Sequence, residues 1–161
     1  MISYYGKHPN NVECLYDMTA LPVTISFKKL TETAIPFKYS RENDACMDMY
    51  ADMEAILYPH ETAIVKTGIA VEIPHGFEGI VRGRSGLATR GLSVHLGTID
   101  ETYRGDVGVI VTNNSMQIAY IHKGNRIAQF TVKPVYPIKL VEADELTDTE
   151  RGEQGYGSSG E

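Results

Sequence analysis

The chain has 161 residues, 42% of them apolar, with a net charge of −6 and a pI near 5.4. That length fits one domain with a real hydrophobic core. The acidic balance excludes a protein that coats nucleic acid, and no apolar run approaches the roughly 20 residues of a membrane span, so neither partner is expected.

Residues 1–22 are broken by Gly6, Pro9, Asn10, Asn11 and Pro22 and read as an N-terminal extension of unassigned role. Their first seven residues lack the apolar segment of a secretory signal, and Cys14 and Cys46 stand at no metal or redox spacing. The expectation is a cytoplasmic protein with reduced thiols, Cys46 being a buried small hydrophobe. A β domain is expected over 23–142. Val23, Ile25 and Phe27 alternate with polar residues, which predicts a half-buried strand. Ala45–Ala51 alternates Cys46, Asp48 and Tyr50 against Met47 and Met49. Glu54–Tyr58 ends at Pro59-His60-Glu61, and Thr62–Ile73 reads as one long strand that stops at Pro74-His75-Gly76. Phe77–Val81, Leu92–Leu96 and Val107–Thr112 follow. After the turn Asn113-Asn114-Ser115 come Gln117–Ile121, the turn His122–Asn125, and Arg126–Val132. Short strands with turn chemistry roughly every 8–12 residues predict an all-β sandwich or barrel. One short helix is expected, Gly86–Arg90, with Ser85 as its N-cap. Residues 143–161 are acidic and then glycine-rich, too polar to order themselves. They form either a frayed terminus or an arm that closes over a ligand.

Several stretches carry candidate chemistry. Between the strands at Leu92–Leu96 and Val107–Thr112, Gly97–Asp106 reads as a hairpin arm. Its Asp100 follows apolar Ile99, and its Tyr103 lies three residues on; an ordinary hairpin turn has the same residue types. Arg84-Ser85-Gly86-Leu87-Ala88 joins a cation to backbone N–H groups and suits a phosphate, or is a plain capped turn. In Gly124–Phe130, alternation puts Ile127 and Gln129 on one face and Arg126, Ala128 and Phe130 on the other. An inward Gln129 orients a water or a phosphate oxygen; an outward one is solvated, with Arg126 in a surface ion pair. The tail Arg151–Gly160 supplies one cation, one aromatic and four glycines, a set able to wrap a terminal phosphate and stack on a base. Asp48 is either a surface carboxylate or a contact for Mg²⁺ held mainly by substrate phosphates.

Taken in order, these stretches resemble the homotrimeric deoxyuridine triphosphatases (dUTP diphosphatases). That family has five ordered motifs, and all appear here. They are Asp44–Ala51, Arg84–Ala88, Gly97–Gly105, Gly124–Gln129 and the Arg151–Gly160 tail. The resemblance implies a jelly-roll-like β fold of the β-clip kind and a homotrimer whose active sites are shared between subunits. It implies hydrolysis of dUTP to dUMP and pyrophosphate, which limits uracil in DNA and supplies dUMP for thymidylate synthesis. In that scheme Asp100 activates the water that attacks the α-phosphorus. Tyr103 excludes a ribose 2′-hydroxyl, while Gly97, Thr98, Ile99 and Gly108 line the uracil. Arg84, Ser85, Gly86 and Gln129 hold phosphates or the water; Arg151, Gly157 and Ser158 grip the terminal phosphate, and Tyr156 covers the base. Asp48 reaches Mg²⁺ only through water. Departures from the family's usual residues are Cys46 for Gly, Gly83 for Pro, Thr102 and Asn125 each for Asp, and Tyr156 for Phe. The alternatives are a dCTP deaminase of the same fold family and a nucleotide-gated regulatory binding protein.

Overall fold

Runs of Val, Ile and Thr closed by Gly, Pro or Asn become short antiparallel strands, because branched side chains fit a pleated, half-buried surface. The computed structural model describes residues 23–155; the N-terminal extension with Cys14, and Tyr156, Gly157 and Ser158 of the tail, lie outside the described residues. In chain order the strands are β1 (Ser26–Lys29), β2 (Met47–Tyr50), β3 (Ala55–Leu57), β4 (Thr62–Val65), β5 (Ile69–Glu72) and β6 (Phe77–Arg82). The helix α1 (Ser85–Ala88) precedes β7 (Leu92–Val94), β8 (Gly97–Ile99), β9 (Val109–Asn113), β10 (Ala119–Ile121) and β11 (Arg126–Pro134). A four-stranded sheet has the order β2-β11-β6-β8 and a three-stranded sheet the order β4-β9-β7. The pairs β1-β5 and β10-β3 flank them. Among the described residues the protein is all-β with a single turn of helix, in a jelly-roll-like sandwich, as expected.

The core lies between these sheets and contains Phe130, Met49, Leu57, Val65, Ile69, Val81, Ile121 and Ile127, all essentially inaccessible. Strand β9 shows the alternation plainly: Val109 and Val111 are buried, whereas Ile110 between them is exposed. Cys46 is buried, as its apolar neighbours predict.

Four expectations change. The long strand over 62–73 is two strands in different sheets, broken at Lys66-Thr67-Gly68. Gly68 has φ +68°, and a Cβ there would lie 2.7 Å from Asp52 Oδ2 and 2.8 Å from Ala34 Cβ. Only glycine makes this corner. The N-terminal strand is not half-buried: β1 is exposed along its whole length and Phe27 is 55% exposed, since among the described residues it pairs with β5 alone and its outer face is left uncovered. Alternation also fails in β11, where Ile127 and Ala128 are both buried. A register shift between Arg126 and Ala128 turns consecutive residues to the core, as a bulge does.

The turn predicted at Asn113 is the fourth case. Asn113 closes β9 and is fully buried. Its amide donates to the carbonyls of Leu57 at 2.9 Å and Gln117 at 2.7 Å, and its Oδ1 accepts from the backbone N–H (3.0 Å) and hydroxyl (2.8 Å) of Ser115. It thereby satisfies polar groups at the end of β3 and in the 115–117 loop. Asn113→Ala should lower stability by about 2–4 kcal/mol, the cost of leaving buried partners unpaired. Urea denaturation at fixed protein concentration would show it as a lower midpoint with unchanged slope.

Candidate active site

The Gly97–Asp106 stretch leaves one sheet for another. Strands β7 and β9 pair as the arms of a hairpin, Leu92 against Asn113 and Val94 against Val111. The insert between them is not a free loop, because β8 joins the four-stranded sheet, Gly97 against Val81 and Ile99 against Gly79. Asp100 is therefore delivered by a strand end, exposed, at the edge of that sheet. A turn follows in which the Tyr103 N–H donates to the Asp100 carbonyl at 3.0 Å. The Tyr103 ring lies directly on Gly105, where a Cβ would come 2.7 Å from its Cζ. Its hydroxyl donates to the Asp106 carbonyl at 2.9 Å.

Carboxylates hold this loop on both sides. Glu101 accepts from the Gly76 N–H at 2.9 Å and faces His75 Nδ1 at 3.1 Å. The hydrogen bond from His75 and that from Gly76 outweigh a small desolvation effect and lower the Glu101 carboxyl's pKa. Asp106 accepts from the N–H groups of Thr67 and Gly68, each at 3.1 Å. Arg104 donates to the Tyr103 carbonyl at 2.9 Å and to Glu72 at 3.2 Å.

A second cluster occupies the other end of the four-stranded sheet. Asp48 in β2 is 3% exposed. Its Oδ1 accepts from Arg84 Nε at 3.1 Å; its Oδ2 accepts from the Ser40 hydroxyl at 2.6 Å and Arg126 Nη1 at 3.1 Å. Burial alone would raise the Asp48 pKa, but the Ser40 and Arg126 hydrogen bonds and the two guanidinium charges reverse this and hold it below the ordinary 3.8. Arg84 Nη1 also donates to the Arg126 carbonyl at 3.0 Å. The two arginines, with Arg90, Asn125 and apolar Leu87 and Ile127, line a cleft of about 270 Å³. Gln129 in β11 is half-buried and sits in register with Asp48 on one side and Arg82 on the other.

Helix α1 spans Ser85–Ala88, not Gly86–Arg90, and Ser85 is not its cap. Arg84 holds that position with extended backbone, and no side chain caps the turn. The Arg84 carbonyl accepts from the Leu87 and Ala88 N–H groups while its guanidinium turns back to Asp48. Ser85 and Gly86 are exposed beside the cleft.

The structure brings Asp48, Arg84 and Arg126 together, but it does not bring Asp100 to them. Arg84 lies two residues past the end of β6, on extended backbone, and five residues beyond Gly79, the partner of Ile99. At ~3.3 Å per residue this separates the two ends of the sheet by about 16 Å. Arg151 lies farther along the exposed tail, its Nε donating to the Gln154 carbonyl at 3.0 Å. Sequence reasoning offered a surface ion pair for Arg126 as one of two readings; its partner is the buried Asp48. It assigned nothing to Ser40, Glu101 or Asp106. For Asp106 the one available signal was a carboxylate closing the glycine-bounded insert; Ser40 gave none.

No described helix is long and apolar enough to cross a membrane. The dUTPase family profile matches residues 32–160. Among the relatives is the deoxyuridine 5'-triphosphate nucleotidohydrolase of Clostridioides difficile, 42% identical over 139 residues, covering 84% of this chain and 97% of that one. The protein of the same name from Alkaliphilus metalliredigens is 40% identical over 139 residues, covering 84% and 96%. The solved dUTPase of Staphylococcus bacteriophage 80alpha, a mutant with dUpNHpp, superposes with a TM-score of 0.81 at 29% identity, covering 85% of this chain and 98% of that one. A mutant dUTPase of phage phi11 of S. aureus, described as coordinating a structural Mg(II) ion, superposes at 0.73 with 25% identity, covering 78% and 99%. With a profile match over most of its length, named relatives that it spans almost end to end, and their fold, this chain belongs to the dUTPase family.

Proposed function

We propose that this chain is a cytoplasmic dUTP diphosphatase acting as a homotrimer, with Asp100 of one subunit working beside Arg84 of another. The observation that carries the shared site is the separation of Asp100 from the arginine cluster along one sheet. Exposed apolar side chains support the same assembly: Phe27 at 55%, Ile64 at 63% and its cross-strand partner Ile110 at 43%.

In the reaction a water attacks the α-phosphorus and gives its proton to the Asp100 carboxylate. The new oxygen–phosphorus bond forms as the bond to the bridging oxygen of the β-phosphate breaks, so the products are dUMP and pyrophosphate. Arg84, Ser85, Gly86 and Gln129 hold phosphate oxygens or the water, and fixed donors of this kind stabilise the charge that develops there. Main-chain groups of Gly97, Ile99 and Gly108 read the uracil, with Thr98 beside them. Tyr103 stands against the deoxyribose. Arg151, with Tyr156, Gly157 and Ser158 of the tail, closes over the triphosphate and expels water.

The donor set bears on Mg²⁺. Among the described residues no group of three His, Cys, Asp or Glu side chains is arranged to hold a metal. Asp48 already accepts from Ser40, Arg84 and Arg126, leaving Oδ1 one free lone pair. This fits an ion whose direct ligands are the substrate's phosphates, with Asp48 reached through one water. When bound, the ion neutralises phosphate charge and fixes the triphosphate's geometry.

The test is pyrophosphate release from dUTP against dTTP, dCTP and UTP, with Mg²⁺ and with chelator. Turnover of dUTP alone, lost with chelator, is expected. Ammonia from dCTP would make the chain a deaminase instead. A second prediction concerns the arm: removing residues 150–161 should lower kcat/KM at least about tenfold, since phosphate contacts and water exclusion go together, without lowering the melting temperature. Unchanged activity would show that the tail is a frayed terminus.

A further inference from the structure

We infer that Asp106 is a positioning residue that sets how strictly the site rejects a ribose, acting through Tyr103. The inference rests on the dUTP diphosphatase reading. Its basis is a bracket built around the Asp106 carboxylate. Oδ1 accepts from the Thr67 N–H and Oδ2 from the Gly68 N–H, both at 3.1 Å. Consecutive N–H groups converge on one anion only where the backbone turns sharply, and the positive φ of Gly68 supplies that turn.

The bracket is stiff. Thr67 is fully buried, and its hydroxyl donates to the Val107 carbonyl at 3.0 Å. The Gly68 carbonyl accepts from the Leu30 N–H at 2.8 Å, and its α-carbon is hemmed in by Asp52 and Ala34. On the far side, the Val107 N–H donates to the Ile69 carbonyl at 2.8 Å, and Val107 is fully buried. Asp106 is thus fixed through its carboxylate and through the residue that follows it.

This fixed residue carries the Tyr103 ring. The Asp106 carbonyl accepts from the Tyr103 hydroxyl at 2.9 Å and from the Gly108 N–H at 2.9 Å. The other end of Tyr103 is held by its N–H on the Asp100 carbonyl. Tyr103 is thus tied at its backbone and at the tip of its ring, with Gly105 beneath the ring. An apolar wall discriminates weakly against a substrate that merely adds a hydroxyl. Steric rejection of a 2′-hydroxyl therefore depends on the wall being unable to retreat, and Asp106 prevents the retreat.

The readout is the ratio of kcat/KM for dUTP to kcat/KM for UTP. Asp106→Asn keeps the shape but turns one acceptor into a donor facing a backbone N–H. Tyr103→Phe removes only the hydroxyl that reaches Asp106. Each should lower the ratio about tenfold, the worth of one such hydrogen bond, and the double variant should lower it no further. Asn113→Ala, remote from the loop, controls for general destabilisation: it should lower the melting temperature and leave the ratio unchanged. If Asp106→Asn does not fold, Tyr103→Phe alone decides. An equal loss on both nucleotides, an unchanged ratio, or additive effects would overturn the bracket while dUTP turnover by the wild type stands. Wild-type protein inactive on dUTP would overturn the underlying reading, and this inference with it.

Discussion

Asp100→Asn is expected to lower kcat for dUTP by about 10²–10⁴, the usual contribution of a positioned general base. Binding of a non-hydrolysable dUTP analogue should persist within a few-fold. The substitution keeps the shape of the side chain and removes its capacity to take a proton. Asp100 is exposed at the end of β8, and the backbone around it is held by Ile99 against Gly79 and by the Tyr103 N–H on the Asp100 carbonyl. Neither restraint uses the carboxylate, so the fold should be indifferent to the change, within about 0.5 kcal/mol as for other exposed sites. Steady-state pyrophosphate release and calorimetric binding separate the two effects. A variant that keeps a tenth of wild-type turnover would show that the water is activated elsewhere.

Asp48→Ala should be strongly destabilising. It leaves the guanidinium groups of Arg84 and Arg126 facing each other with no counter-charge between them. Removing one partner of a buried pair costs about 3–5 kcal/mol, and the lower end applies here because the Arg126 side chain is 47% exposed and partly screened by water. Activity should fall as well, since Arg84 loses the contact that aims it. Asp48→Asn isolates the charge and predicts a pH dependence. The folded-state pKa of Asp48 lies below its ordinary 3.8. A depressed carboxylate pKa contributes stability that is fully present above the unfolded value and is lost as pH falls through the folded one. Wild-type stability should therefore decline as pH drops below 3.8, and Asp48→Asn should show a smaller decline from a lower starting point. Parallel profiles, read as urea midpoints across roughly pH 2.5 to 6, would mean that other carboxylates dominate acid unfolding.

Much of the fold was legible because hydrophobic alternation is a local property. Leu92, Ser93 and Val94 reveal their in-out pattern without reference to any other strand, whereas Val109-Ile110-Val111 reads only as an apolar strand and the sheet decides that Ile110 faces out. The errors fell where a distant partner intervened. Gly68 beside Thr67 is the only local sign that the strand breaks there; the need for the break comes from Asp106, 38 residues from Gly68, for which it makes a bracket. Asn113 looked like a turn residue because its amide is polar, yet the carbonyl of Leu57, 56 residues away, draws it inside. Ser85 has the composition of a cap, but Arg84 takes that place since its side chain is anchored on Asp48, 36 residues earlier.

The sequence by itself determined the all-β class, the position of most strands, and the motif order by which the chain is similar to its family. These depend on side-chain type and on spacing along one stretch of backbone. Only the tertiary structure decided how charge is arranged. Whether a carboxylate is solvated or buried, and which cation neutralises it, depends on strands that meet after folding. Asp48 thus became the buried counter-ion of two arginines, and Asp106 the restraint on Tyr103. Tertiary structure also separated Asp100 from Arg84 by the length of a strand, because β8 pairs with β6 in a register that puts them at opposite ends of one sheet.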